Sequence, residues 1–230
     1  MVEALGWGTL AASSLLIGAL VGLARTWPGR AIGLVLGFGA GALISAVSFE
    51  LAEDGIEVGG AEPVAAGLAV GALTYFVAAG RVASAGGDSP GTALALGAFL
   101  DGIPEQLVLG ISIATGGEVS LGLLAAIFVS NLPEAVGGAS DMRSQGEGRA
   151  RVVRLWLAVA VVCALATPLG FALADLASDS FKGAINGFAA GALLVMLVDS
   201  MIPEATKQAG RTTGLVTTLG FAVAAAMSIA

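Results

Sequence analysis

The segments FLDGIPEQL at 99–107 and VSNLPEAVG at 129–137 decide how this chain is organised, because each carries Pro-Glu in the middle of an apolar stretch. In the first segment, Asp101 and Glu105 are four residues apart, so a helix brings both to one face. An ionisable group in the apolar interior of a membrane costs roughly 2.5–3.5 kcal/mol on insertion scales. Carboxylates at the centre of such segments therefore indicate a functional site.

The second segment repeats this arrangement. Ser130 and Asn131 precede Glu134 by four and three residues, so a helix can place all three on one side. A proline inside a helix frees a carbonyl about one turn earlier, so Pro104 and Pro133 bring backbone oxygens close to the carboxylates. Two such helices facing each other form a negative, oxygen-rich pocket for a desolvated cation. The alternative is that each Pro-Glu is a packed kink whose protonated Glu bonds a neighbouring carbonyl.

The composition is that of a membrane protein. The 230 residues are 57% hydrophobic and 12% charged, whereas about a quarter of the residues of a soluble domain are charged. The net charge of −7, without a basic stripe, excludes nucleic acid as a partner and leaves the lipid bilayer. Histidine is absent and there is one cysteine, so neither an imidazole-based nucleophile–base pair nor a C-x-x-C site can form. We therefore predict no enzyme, no catalytic residues and no bound cofactor.

The apolar runs predict an all-α membrane protein with eight transmembrane helices, since a spanning helix needs about 20 apolar residues. The predicted spans are roughly 4–24, 31–52, 63–80, 92–114, 120–140, 152–174, 183–203 and 212–229. Short connections make residues 1–230 a single polytopic membrane domain. Nine of the ten basic residues fall in the first, third, fifth and seventh loops, which places those loops in the cytoplasm and both termini outside.

An internal repeat is visible in the glycine-rich strings. GFGAGAL at 37–43 recurs as GFAAGAL at 187–193, and AGLAVG at 66–71 is loosely echoed by TGLVTT at 213–218. The copies are five helices apart, so they must cross the membrane in opposite directions, as in many secondary transporters. The resulting 3+2+3 plan has repeat 1 at about 1–80, central helices four and five at about 91–140, and repeat 2 at about 152–230. The same glycines also allow close packing, within the chain or in a homodimer.

These motifs and this topology resemble the ZIP family of zinc and iron transporters over the whole chain, as a divergent prokaryotic member that lacks histidine. The family's motif on helices four and five, His-Asn-x-Pro-Glu-Gly, is matched here by DGIPEQ and SNLPEA. The resemblance implies a metal site built from residues of both motifs: Asp101, Glu105, Ser130, Asn131 and Glu134.

Other positions depart from the family's pattern. Gln106 stands at the final Gly of the first motif, and Thr167 stands where the family often has an acidic residue in helix six. Leu43, which matches a ligand position of helix two, cannot coordinate a metal. With every imidazole absent the remaining ligands are oxygens, which suit magnesium, manganese or calcium better than zinc.

The leading hypothesis is a secondary transporter of divalent metal cations across the inner membrane, with zinc, iron, manganese or magnesium as the transported ion. One site bridged by Glu105 and Glu134 is easier to justify than a centre with two metals. Two alternatives stay open. The chain could be a ZIP-fold protein that has lost transport and serves as a binding or regulatory subunit, or it could carry another cationic substrate.

Overall fold

A computed structural model describes residues 1–84, 90–114, 121–174 and 178–228. Within these ranges the structure is entirely helical, and its eight helices are numbered in chain order. They are α1 (Val2–Ala24), α2 (Gly29–Gly59), α3 (Ala61–Ser84), α4 (Pro90–Ala114), α5 (Leu121–Ser144), α6 (Arg149–Leu173), α7 (Asp179–Ala209) and α8 (Thr212–Ser228). Each helix coincides with one predicted span, although α2 and α7 are several residues longer. The prediction of an all-α protein is confirmed.

Most of these helices have the length and composition of membrane spans. In the part of the chain that the structure describes, the six helices α1, α2, α3, α4, α6 and α7 are long and apolar enough to cross a membrane, while α8 is apolar but shorter. The protein is therefore a multi-pass membrane protein. The count of eight crossings stays a prediction, as does the position of both termini outside.

The fifth helix, α5, lies inside the bundle, in contact with α1, α2 and α4. Every residue from 133 to 139 is buried. Two glycines let α1 approach this helix closely: a Cβ on Gly18 would lie 2.6 Å from the carbonyl oxygen of Leu132, and a Cβ on Gly22 would lie 2.6 Å from that of Val136. Real Cβ atoms do not come so close, so these positions require glycine. From the first contact to the second, the residue numbers increase along both helices, so α1 and α5 are parallel.

The fourth helix packs on α6 in an equivalent way. A Cβ on Gly170 of α6 would collide with the carbonyl oxygen of Leu107 in α4, and a Cβ on Gly110 of α4 would collide with that of Thr167. Leu107 follows the first Pro-Glu glutamate by two residues, and Val136 follows the second by two. Both Pro-Glu helices are thus held at the same point of their sequence by a glycine of an outer helix.

Helices α2 and α7 share an uncommon local structure. Each begins with an α-helical part of 18 residues and continues into a π-helical segment, Val47–Glu53 in α2 and Leu197–Met201 in α7. Each is followed by a glycine with positive φ, Gly60 at 86° and Gly210 at 61°, a backbone angle that glycine adopts without the steric cost it has for other residues. The two helix starts, the two π-segment starts and the two glycines are all separated by the same number of residues.

The glycine strings pack α2 along α8 and α7 along α3. A Cβ on Gly41 of α2 would collide with the carbonyl oxygen of Thr217, and a Cβ on Gly191 of α7 would collide with that of Leu68. Gly41 and Gly191 occupy the same position in the two copies of the string. The outer helices therefore form two similar pairs on either side of the central helices.

Candidate metal centre

The second Pro-Glu element brings two polar side chains into the interior of the protein. Glu134 is 0% exposed and Asn131, one turn earlier in α5, is 2% exposed. Asn131 Oδ1 has no hydrogen-bond partner among the described residues. An unsatisfied buried acceptor costs about 1–3 kcal/mol. An oxygen kept in this state beside a buried carboxylate is suited to a ligand that supplies positive charge.

The carboxylate of Glu134 points to the place where α4, α5 and α7 meet. A Cβ built on Gly97 of α4 would lie 2.9 Å from Glu134 Oε1 and 2.7 Å from Cγ of Met196 in α7. Any residue larger than glycine at position 97 would press on both side chains. Gly97 therefore provides the space in which the carboxylate lies.

The first Pro-Glu element contributes Glu105, which is 4% exposed. In helical register it lies within about a quarter turn of Gly97, towards the side of α4 that packs on α6. Asp101 and Ser130 belong to α4 and α5, but their side chains lie outside the described part of the structure. Their assignment to the site stays a prediction.

The described residues alone do not complete a metal site of acidic, histidine or cysteine ligands. Among them, no three such side chains are grouped closely enough to hold a metal ion. Glu105 and Glu134 are the two described carboxylates of the predicted set, and Asn131 adds an amide oxygen. The third carboxylate of the predicted set belongs to Asp101, whose side chain lies outside the described part of the structure. The five-residue site therefore stays a prediction.

A buried hydrogen-bonded pair beside the site was not predicted from the sequence. Gln106, 1% exposed, accepts a hydrogen bond from Thr167 Oγ1 of α6. Its Nε2 donates to the carbonyl oxygen of Gly8 in α1 over 3.4 Å. Both polar atoms of the Gln106 side chain are thus bonded to protein, so it ties α4 to two outer helices. One feature of the sequence could have predicted this pair. Gln106 and Thr167 both depart from the ZIP pattern, and their side chains can form a hydrogen bond with each other.

A second acidic residue of α5 lies two turns beyond Glu134 and past the predicted span 120–140. The backbone N–H of Gly91 donates to Asp141 Oδ2 over 2.7 Å, and Gln145 donates to the same oxygen over 2.8 Å. Burial raises the pKa of Asp141 above its usual range, more than these two hydrogen bonds lower it. Asp141 therefore serves to fix the start of α4 against the end of α5.

Leu43, the departure on helix two, is part of the apolar core. Its side chain is 0% exposed and belongs to one buried cluster with Leu193 and Leu197 of α7. It is therefore a core packing residue and contributes no ligand.

The helices and the buried polar residues define a multi-pass helical membrane protein with an internal acidic site. No family model matches the chain. The chain is 30% identical over 192 residues to a protein of Arabidopsis thaliana named "Putative zinc transporter". The alignment covers 77% of this chain and 30% of that relative, so the chain spans less than a third of the relative's length. The relative's name describes a transporter and no enzyme, in agreement with the prediction of a non-enzymatic membrane protein.

Proposed function

We propose that this protein is a divergent ZIP-family secondary transporter that carries divalent metal cations across the inner membrane. The observation that carries the proposal is the buried pair on α5, Glu134 with Asn131, whose Oδ1 has no hydrogen-bond partner within the described part of the chain. An acidic group in an apolar interior is stabilised by a cation or by a proton. The name of the Arabidopsis relative, which describes a zinc transporter, supports the cation.

In the proposed site, Glu105 and Glu134 bind or bridge the metal. Asp101 and Asn131 complete its shell, and Ser130 adds a hydroxyl oxygen. The equivalent packing of the two Pro-Glu helices supports a site between α4 and α5, because each is held by an outer-helix glycine two residues beyond its glutamate.

The proposed mechanism moves the block that contains α4 and α5 against arms built from α2, α3, α7 and α8. Glycine contacts tie α1 to α5 and α6 to α4, which supports a block that moves as a unit. The matched boundaries of α2 and α7, and the similar pairs α2–α8 and α3–α7, support an inverted repeat. The contacts of Ala98 with Cys163 and of Gln106 with Thr167 ascend α4 and α6 in the same direction. These helices are therefore parallel, as α1 and α5 are, which agrees with eight alternating crossings.

One observation favours a second candidate, a ZIP-fold protein that has lost transport. Gln106 and Thr167 bond each other at two positions that depart from the family's pattern, and this neutral cross-link reduces the number of groups free to bind metal. Such a protein would act as a binding or regulatory subunit of the membrane.

The test is the thermal stability of the purified protein in detergent, titrated with magnesium, calcium, manganese, iron(II), cobalt, zinc and cadmium. A ligand that binds only the folded state stabilises it by about 2.7 kcal/mol at 100 times its Kd. We expect at least one metal to raise the Tm of the wild type and not that of Glu105→Gln/Glu134→Gln. Asp141→Asn, which removes a different acid of α5, is the control and should respond as the wild type does. No response in the wild type would refute the metal site.

A further inference from the structure

A methionine of α7 borders the same small space as the carboxylate of the proposed site. Met196 is 0% exposed. The point where a Cβ on Gly97 would lie is 2.7 Å from Met196 Cγ, 3.4 Å from Met196 Cε and 2.9 Å from Glu134 Oε1. The sulfur is bonded to both Cγ and Cε, so it lies at the edge of the space above Gly97 that the carboxylate oxygen also borders.

Packing accounts for a buried apolar side chain at this position, and a sulfur there adds an atom that can bind a metal. Met196 belongs to an apolar cluster with Leu94 and Leu193, and methionine fills irregular gaps well. A leucine, as at the next position, Leu197, would bury a similar area. A thioether is a weak acceptor and an ionised carboxylate is an acceptor only, so neither can donate a hydrogen bond to the other. A cation between the two can be bound by both.

We propose that Met196 is a further metal ligand, which makes the site select borderline and soft divalent ions, zinc and cadmium, over magnesium and manganese. This inference rests on the proposed metal site and names its substrate class. Thioether sulfur favours softer metals, whereas carboxylate and carbonyl oxygens favour magnesium, calcium and manganese. Without histidine, oxygen ligands alone would favour hard ions such as magnesium. A ligand set of Glu134, Asn131 and one sulfur can favour zinc and cadmium instead.

The matched variants are Met196→Leu and Met201→Leu. Both methionines are 0% exposed on α7, but Met201 Cε lies 2.8 Å from the Cβ position of Gly39, beside the ring of Pro133 and not a carboxylate. Exchanges of Met for Leu keep the core volume and are among the best tolerated core substitutions. Both proteins should therefore fold, which their Tm without metal will verify.

Affinities for zinc, cadmium, manganese and magnesium are measured by calorimetry in detergent. For Met196→Leu we expect zinc and cadmium to bind on the order of tenfold more weakly, the scale on which changes next to a metal alter its affinity. Manganese and magnesium should change less than about twofold, since they gain little from sulfur. Met201→Leu should leave all four affinities unchanged.

X-ray absorption at the cadmium edge gives a second readout. Its main result, the neighbours of cadmium bound beside an intact Met196, is obtained without any substitution of Met196. In a Cys163→Ala background, which removes the one cysteine, the bound cadmium should show a sulfur neighbour. That neighbour should disappear in Met196→Leu and persist in Met201→Leu.

The outcomes separate this inference from the proposed function. If the wild type binds none of the metals, the metal site itself is refuted. If it binds them but Met196→Leu weakens all four equally or none, Met196 is a packing residue and the inference is overturned while the metal site stands. The inference would also be overturned if cadmium bound to the Cys163→Ala protein, with Met196 intact, showed no sulfur neighbour.

Discussion

Helices α4 and α5 carry the same Pro-Glu element, yet the residue after the glutamate differs. In α5 it is Ala135, whose Cβ lies 2.8 Å from the Cβ position of Gly18, so the contact with α1 is apolar and close. In α4 it is Gln106, which bonds Thr167 and the carbonyl oxygen of Gly8. At this position the α5 half is thus held by packing, whereas the α4 half uses polar atoms to fix the helix. Two copies of one motif have taken different tasks.

The largest expected effect separates the two glutamates. Glu134→Gln removes the charge at the point where α4, α5 and α7 meet, so metal affinity should fall by about 100-fold or more, beyond the 10–100-fold typical of groups next to a ligand. Glu105→Gln should have a smaller effect, because Glu105 lies towards the hydrogen-bonded side of α4. Calorimetry with the metal that best stabilises the wild type measures both. A larger loss of metal affinity in Glu105→Gln than in Glu134→Gln would show that α4, and not α5, supplies the stronger ligand.

Gly97→Ala should disturb the space that α4 leaves for Glu134. The added Cβ would lie 2.9 Å from Glu134 Oε1 and 2.7 Å from Met196 Cγ. Such overpacking costs about 1–3 kcal/mol, so the Tm should fall and metal binding should weaken. Gly80→Ala is the control, since its Cβ would meet nothing within 4 Å and an alanine in a helix gains about 0.5–1 kcal/mol over glycine. Equal stabilities in the two variants would contradict the described packing at Gly97.

The hydrogen-bonded pair on α4 should contribute to stability more than to metal binding. Thr167→Val leaves Gln106 Oε1 buried without its donor, which should cost about 1–3 kcal/mol. Gln106→Leu/Thr167→Val removes both partners and should be less destabilising than the single changes together. Chemical unfolding in detergent gives the coupling. If the variants instead lost metal binding at full stability, the pair would belong to the site.

The smallest effect concerns Asp141 and pH. Burial raises the pKa of this carboxyl in the folded protein above its value in the unfolded chain, so folding favours the protonated form. Ionisation then lowers stability as the pH rises through the folded-state pKa. Asp141→Asn should have a slightly higher Tm than the wild type at neutral pH. The difference should shrink as the pH falls and the wild type becomes protonated, and a difference that grows at low pH would contradict this sign.

The sequence was sufficient for the helices because their apolar runs have the length of a membrane span, and α4 and α5 begin and end close to the predicted positions. Helical spacing within one segment was enough to place Asn131 and Glu134 one turn apart on α5. The π-helical segments of α2 and α7 were not predicted, because their residues have the same apolar character as the helix before them. The Gln106–Thr167 bond, and the approach of Met196 and Glu134 to the same point beside Gly97, involve residues far apart in sequence, so spacing along one helix could not reveal them.

The proposal to be tested is that divalent metal crosses the membrane through the carboxylates of α4 and α5. Its most direct test is uptake of radioactive zinc and cadmium into proteoliposomes by the wild type, by Glu105→Gln/Glu134→Gln and by the Asp141→Asn control at matched protein content. We expect saturable uptake by the wild type and the control, and uptake by the double variant no higher than in protein-free liposomes. Uptake by a folded double variant at the wild-type rate would contradict it.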